Sequence, residues 1–260
     1  MRLLIFGLSV AVAMLLFRAC DRPVADNGVP TDPVWEIVDR AIKVHGGETV
    51  ARASIQFNFR QYHFVVTRDN GVYSYERTYT DEQDTYREVL DNDGITRSVN
   101  GQAVALTDDE KRRLLTPLNS VPYFALLPYN LSDPAVRPRI LGTTVIGGES
   151  YDKIEVAFSE VDGGKDFEDR FVYWFHQERH TMDYLAYTFH SGDGGTRFRE
   201  AHNVRRIGGV IFQDYHNYIS DSLSLPDSPI EQYDDLFQAG ELKLLSEIEL
   251  KGISVTPLQP

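Results

Sequence analysis

The chain has 260 residues, 42% of them hydrophobic and 25% charged, the balance of an ordinary globular protein long enough for one sizeable domain. Its formal net charge of −13 repels a phosphate backbone, and no basic cluster reverses that, which excludes nucleic acid as a partner. The 14 Tyr, 14 Phe and 2 Trp favour strands, where rings pack on a pleated, half-buried surface.

The N-terminus reads Met1-Arg2, then an uncharged apolar run from Leu3 to Phe17, then Arg18-Ala19-Cys20. A basic tip followed by such a run fits a secretory signal peptide, and the run is short for a membrane span. The chain's single cysteine stands at the end of this segment, after small Ala19, as in a lipobox. Arg18 occupies a place where lipoboxes carry a small or mildly apolar residue. Residues 1–19 are therefore read as a signal peptide and Cys20 as the lipidated first residue of an envelope protein, on the periplasmic or outer-membrane side. An uncleaved N-terminal anchor and a secreted chain with a free thiol are the alternatives. With one cysteine, no disulfide within the chain is available to the fold. Residues 20–33, rich in Pro, Gly and Asp, read as a flexible tether, and residues 34–260 as a single domain.

A helix is expected to open at Asp32 as N-cap with Pro33 behind it, and to close at Gly46-Gly47. Trp35, Val38, Ile42 and His45 form its apolar stripe, which makes His45 a residue of the stripe edge or the helix C-terminus. Strand material follows: Ile55, Phe57 and Phe59 alternate with polar residues, and Tyr62, Phe64 and Val66 prolong the run. Asp69-Asn70-Gly71 signals a hairpin, after which Tyr73, Tyr75, Arg77 and Tyr79 share a face. Turns at Asn92-Asp93-Gly94 and Asn100-Gly101 complete an antiparallel meander. Thr107 and Glu110 then suit a capping box for a short helix running toward Pro117. Residues 121–129, apolar and bracketed by prolines, read as a short helix or loop against the concave face of a sheet. Glycine pairs at 147–148, 163–164 and 208–209 punctuate further strands, indicating one large antiparallel sheet. A last helix is expected at Ser228-Pro229 with Glu231 completing a capping box, and Leu242 to Leu250 suit a closing strand.

Helix, strands, apolar helical insert and more strands is an order that resembles the LolA/LolB lipoprotein-carrier superfamily. Tyr151 to Val156, Phe171 to Phe175 and Thr181 to Tyr187 are similar to strands of those proteins. More narrowly, Val44-His45-Gly46-Gly47, the stretch from Asn119 to Tyr129, and Gly194 to Arg199 resemble a family of bacterial lipoproteins of unknown function. The resemblance implies a mainly β (α+β) fold, a large antiparallel sheet curled into an open half-barrel around short helices. It assigns no chemistry to any residue.

The chemical motifs are sparse. His176 and His180 lie four apart but between two predicted strands, which fits a turn better than a zinc-binding helix, and neither a metal nor a cofactor is implied. Three functions remain. A non-catalytic binding module would enclose a lipid, acyl chain or other hydrophobic ligand, or a lipoprotein, with Phe57, Phe59, Tyr73, Tyr75, Tyr123, Phe124 and Leu127 as cavity candidates and a lipid anchor in the membrane. These rings equally suit a filled core, which would make the chain an assembly lipoprotein that binds a protein partner. A hydrolase-like enzyme would need Arg197, Arg199, Asp214 and His216 to converge in one polar cleft. Absence of catalysis is the expectation.

Overall fold

The computed structural model describes residues 32–159, 169–190 and 192–259. The expected signal peptide, Cys20, most of the expected tether and the turn expected at Gly163-Gly164 lie outside the described residues.

The N-terminal helix α1 (Pro33–Val44) is capped as its sequence dictates, with the Asp32 side chain accepting from the Val34 N–H at 3.2 Å. His45 is its C-cap, and Gly46, at φ +90°, turns the chain into a second short helix, α2 (Gly47–Ala51). The glycine is obligatory for space as well as conformation, since a Cβ there would lie 2.4 Å from the Gly209 carbonyl oxygen. His45 is 4% exposed. Its Nε2 accepts from the Met182 N–H at 3.1 Å and its carbonyl from the Ile211 N–H at 3.0 Å. The Val44–Gly47 phrase is thus the joint that docks the helices onto two strands.

The first meander consists of β1 (Arg52–Phe59), β2 (Tyr62–Asp69), β3 (Val72–Asp81), β4 (Asp84–Asp91), β5 (Gly94–Val99) and β6 (Gln102–Val104). The run from Ile55 to Val66, expected as one strand, is a hairpin turning at Arg60-Gln61, with Arg60 at φ +55°. Its signal is a phase slip: apolar residues are odd-numbered through Phe59 and even-numbered from Tyr62. A single strand would send the two sets to opposite faces. The hairpin pairs Phe57 with Phe64, and these rings stack at 5.4 Å on one face.

Helix α3 (Asp108–Ala125) opens on the expected capping box, the Thr107 hydroxyl accepting from the Glu110 N–H and the Glu110 carboxylate from the Thr107 N–H. It does not stop at Pro117 but runs on through Pro122. Leu114, Leu118 and Pro122, at intervals of four, are buried, the two leucines against the meander, and that packing offsets the backbone hydrogen bonds the prolines forgo.

The second meander comprises β7 (Val136–Ile146), β8 (Glu149–Phe158), β9 (Phe171–His176), β10 (Met182–Phe189), β11 (Gly195–Ile207) and β12 (Val210–Ile219). At 228–231 no capping box forms; a 3-10 turn (Ile230–Gln232) leads into α4 (Tyr233–Gln238) instead. The chain closes with β13 (Lys243–Ile248) and β14 (Lys251–Pro257).

Among the described residues the architecture is mainly β, antiparallel throughout, with unclosed sheets around four short helices. The strands fall into two sheets of seven rather than a single large one. The first runs β14-β1-β2-β3-β4-β5-β6 and the second β13-β12-β11-β10-β9-β8-β7. The end strands of the two sheets, β13 and β14, are consecutive in the chain and separated by only Glu249 and Leu250. One bent strand therefore serves both sheets. Asp214, 3% exposed, holds the bend: its carboxylate accepts from the Leu250 N–H at 2.9 Å, from Arg205 Nη2 at 2.9 Å and from Asn203 Nδ2 at 2.6 Å. Arg205 Nη2 also reaches the Leu250 carbonyl at 2.7 Å.

Among the described residues three buried clusters fill this frame. The concave face of the first sheet packs on α3, that of the second on α1 and the Tyr123–Leu131 segment, and the convex face of the second on α4. Among the described residues no helix is long and apolar enough to cross a membrane.

Candidate functional site

A partly open pocket of about 190 Å³ lies at the seam, between the two concave clusters. Phe59 enters from the end of β1, and Ser120, Val121, Phe124 and Ala125 from the last turns of α3. The opposite wall is Arg199 on β11 with Gln213 and Tyr215 on β12, and the bent strand supplies Ile248 and Leu250. The site exists because β13 and β14 diverge here while α3 lies across the divergence.

Its polar groups are few and mostly satisfied. Gln213 Nε2 donates to the Met182 carbonyl at 2.9 Å and to the Tyr215 hydroxyl at 2.8 Å. Burial pushes the Tyr215 phenol up to about 12, with the nearby Arg199 charge opposing part of the rise. Behind this wall the Tyr123 and Tyr173 hydroxyls lie 3.4 Å apart, and burial raises Tyr123 to about 12 and Tyr173 well above its ordinary range. All three phenols are neutral near pH 7. Arg199 Nη2 donates to the Tyr187 hydroxyl at 2.8 Å, and the guanidinium sits 4.2 Å from the centre of the Phe124 ring.

Of the seven cavity candidates, Phe59 and Phe124 line this pocket. Phe57, Tyr73 and Tyr75 are buried in the cluster under α3, and Leu127 in the cluster under α1. Tyr123 packs against that second cluster, edge-on to Phe124 at 5.6 Å. Sequence reasoning did not single out Gln213, Tyr215, Ile248 or Leu250 as lining. Strand alternation places Gln213 and Tyr215 on one face, but only the seam, formed by residues far apart in the chain, tells that this face is open.

The polar constellation considered for an enzyme is divided by the sheet. Register pairs Arg199 with Leu185 and Asn217, on the concave face. Asp214 pairs with His202 and His216 with Glu200, on the convex face. Asp214 is consumed by the bend, and His216 stacks on His202 at 4.0 Å with Nδ1 3.2 Å from Glu200. His176 is no exposed turn residue. It is 2% exposed, its Nδ1 accepts the Glu178 and Arg179 N–H groups at 3.1 and 3.0 Å, and Nε2 therefore carries the proton it shares with Glu149 at 2.9 Å. Among the described residues no cluster of His, Cys, Asp and Glu is arranged to hold a metal.

Residues 33–250 match the model of a family of unknown function, DUF6503, and the chain belongs to that family. No curated protein matches it. Among solved structures it is similar to a LolA superfamily protein from Nitrosomonas europaea, at 12% identity and a TM-score of 0.48, over 87% of this chain and 94% of that one. It is also similar to a DUF1329 family protein from Desulfovibrio piger, at 10% identity and a TM-score of 0.38, over 86% and 93% of the two chains. A third similar structure is the Mycobacterium tuberculosis lipoprotein LppX, at 18% identity and a TM-score of 0.29, over 62% and 91%.

Proposed function

We propose that this member of the family is an envelope lipoprotein, anchored through Cys20, whose domain is a non-catalytic binding module for a hydrophobic ligand. The observation that carries the reading is the partly open seam pocket of about 190 Å³, walled chiefly by Phe59, Val121, Phe124, Ile248 and Leu250. Engineered apolar cavities of about 150 Å³ stay dry and admit benzene, so this volume suits one ring or a comparable length of acyl chain, with the remainder leaving by the open side. The neutral phenols behind the wall supply no nucleophile and no general base near pH 7.

Native mass spectra of the purified protein before and after organic extraction test the proposal. An extractable mass of lipid size, absent from Phe124→Asp, is the expected result. A bare protein mass that does not shift when lipids are added overturns it and favours the filled-core reading, in which the outer surface binds a protein partner.

A further inference from the structure

Apolar walls do not account for Arg199. The side chain lines the pocket, yet the residue is 8% exposed. Its Nη2 is taken by the Tyr187 hydroxyl, its Nε is buried with no hydrogen-bond partner, and it makes no ion pair with any described carboxylate. Arg77, the other buried arginine among the described residues, is matched by Glu88, and the half-buried Arg97 and Arg205 are paired with Glu88 and Asp214. Arg199 has rings instead, with Phe124, Tyr187 and Tyr215 centred 4.2, 5.0 and 5.8 Å from its guanidinium carbon. Ring faces replace part of a cation's hydration but cannot neutralise it. The groups around it do not either, because the Tyr215 and Tyr173 phenols are neutral and Gln213 carries no charge. A hydrophobic pocket with one desolvated, uncompensated positive charge is complementary to a hydrophobic molecule with one negative charge.

We propose that the pocket selects an amphiphile with a monoanionic carboxylate head, the carboxylate accepting from the free N–H groups of Arg199 and the apolar body lying against Phe124, Val121 and Ile248. This rests on the binding-module reading and names its ligand class. A carboxylate balances the single cation. A dianionic phosphate would leave surplus charge among apolar walls, and a neutral alcohol would satisfy a hydrogen bond but not the charge.

Calorimetric titration of the purified protein with decanoate, decanol and decyl phosphate near neutral pH tests the proposal. Decanoate is expected to bind roughly tenfold or more tighter than decanol, the difference a charge-assisted hydrogen bond makes, and tighter than decyl phosphate. In Arg199→Gln that preference is expected to vanish, and in Arg199→Lys part of it returns. The wild-type comparison needs no variant and so does not depend on how Arg199→Gln folds. Equal binding of decanoate and decanol by the wild type, or an undiminished decanoate preference in folded Arg199→Gln, overturns the carboxylate inference and leaves the binding module standing. Tighter binding of decyl phosphate overturns the choice of a monoanion. Failure of all three probes to bind overturns the pocket reading and this inference with it.

Discussion

The two sheets are built on one antiparallel plan and buried in two different ways. In the first sheet β3 alternates, Tyr73, Tyr75 and Arg77 buried against Ser74, Glu76 and Thr78 partly exposed. In the second, all six residues of β9 are buried, because Phe171, Tyr173 and Phe175 face α1 while Val172 and Trp174 face the segment carrying α4. Alternation in a sequence therefore reports whether a strand has one covered face or two, not whether it is a strand.

The sharpest way to break this contrast is to substitute the non-concave face of each sheet. Trp174→Ala, on the convex side of β9, is expected to destabilise the protein by about 3–5 kcal/mol in denaturant unfolding, because a fully buried indole leaves a cavity. Ser74→Ala, at the comparable outward position of β3, should stay within about 0.5 kcal/mol. Equal losses would mean that the first sheet's outer face is also covered.

A slightly smaller effect separates the sheets by pH, because only the second is keyed to a buried histidine. Burial lowers His45 from 6.5 to about 4, with Asp183 opposing the fall and Arg206 adding to it. The unfolded chain thus takes up the proton first as pH drops. The stability held by neutral His45 is complete above about 6.5 and lost progressively down to about 4, amounting to about 3 kcal/mol. Unfolding curves of His45→Gln should lack that slope relative to the wild type, and parallel profiles would place the titration elsewhere.

The smallest expected effect lies in the turns. The second sheet turns on Gly147-Gly148 and Gly208-Gly209, whereas the first places Glu82 at φ +53° between β3 and β4. Glu82→Gly relieves that left-handed strain at some cost in unfolded-chain entropy, for a net gain of roughly 0.5 kcal/mol in thermal unfolding. A loss would show that the Glu82 side chain makes a contact worth more than the strain.

The same contrast explains what was legible in the sequence. Alternation and Asn-Gly or Asp-Gly turns marked β2 to β5, and caps of the right chemistry marked α1 and the start of α3. Local signals missed the turn at Arg60-Gln61, whose residues have no turn preference. They also missed the continuation of α3 past Pro117, since only the buried stripe of Leu114, Leu118 and Pro122 keeps the helix going. The site was half legible. Phe59 stood out on an alternating strand, Phe124 as a ring of the proline-bracketed apolar insert, and Arg199 as a strand cation. What isolates that cation is nonlocal: its cross-strand neighbours are Leu185 and Asn217, while Asp214 faces away and is held by the bend.

The bent strand also sets a timetable. β1 opens the first sheet, but its outer neighbour β14 is made much later, with about 190 residues between their facing ends. Until β13 and β14 emerge, β1 and β12 both present bare backbone edges to any chain nearby, the condition that favours aggregation. A nascent copy of this protein therefore stays adhesive along two edges until β13 and β14 are made, and one event, the arrival of a single strand around Leu250, ends the exposure of both.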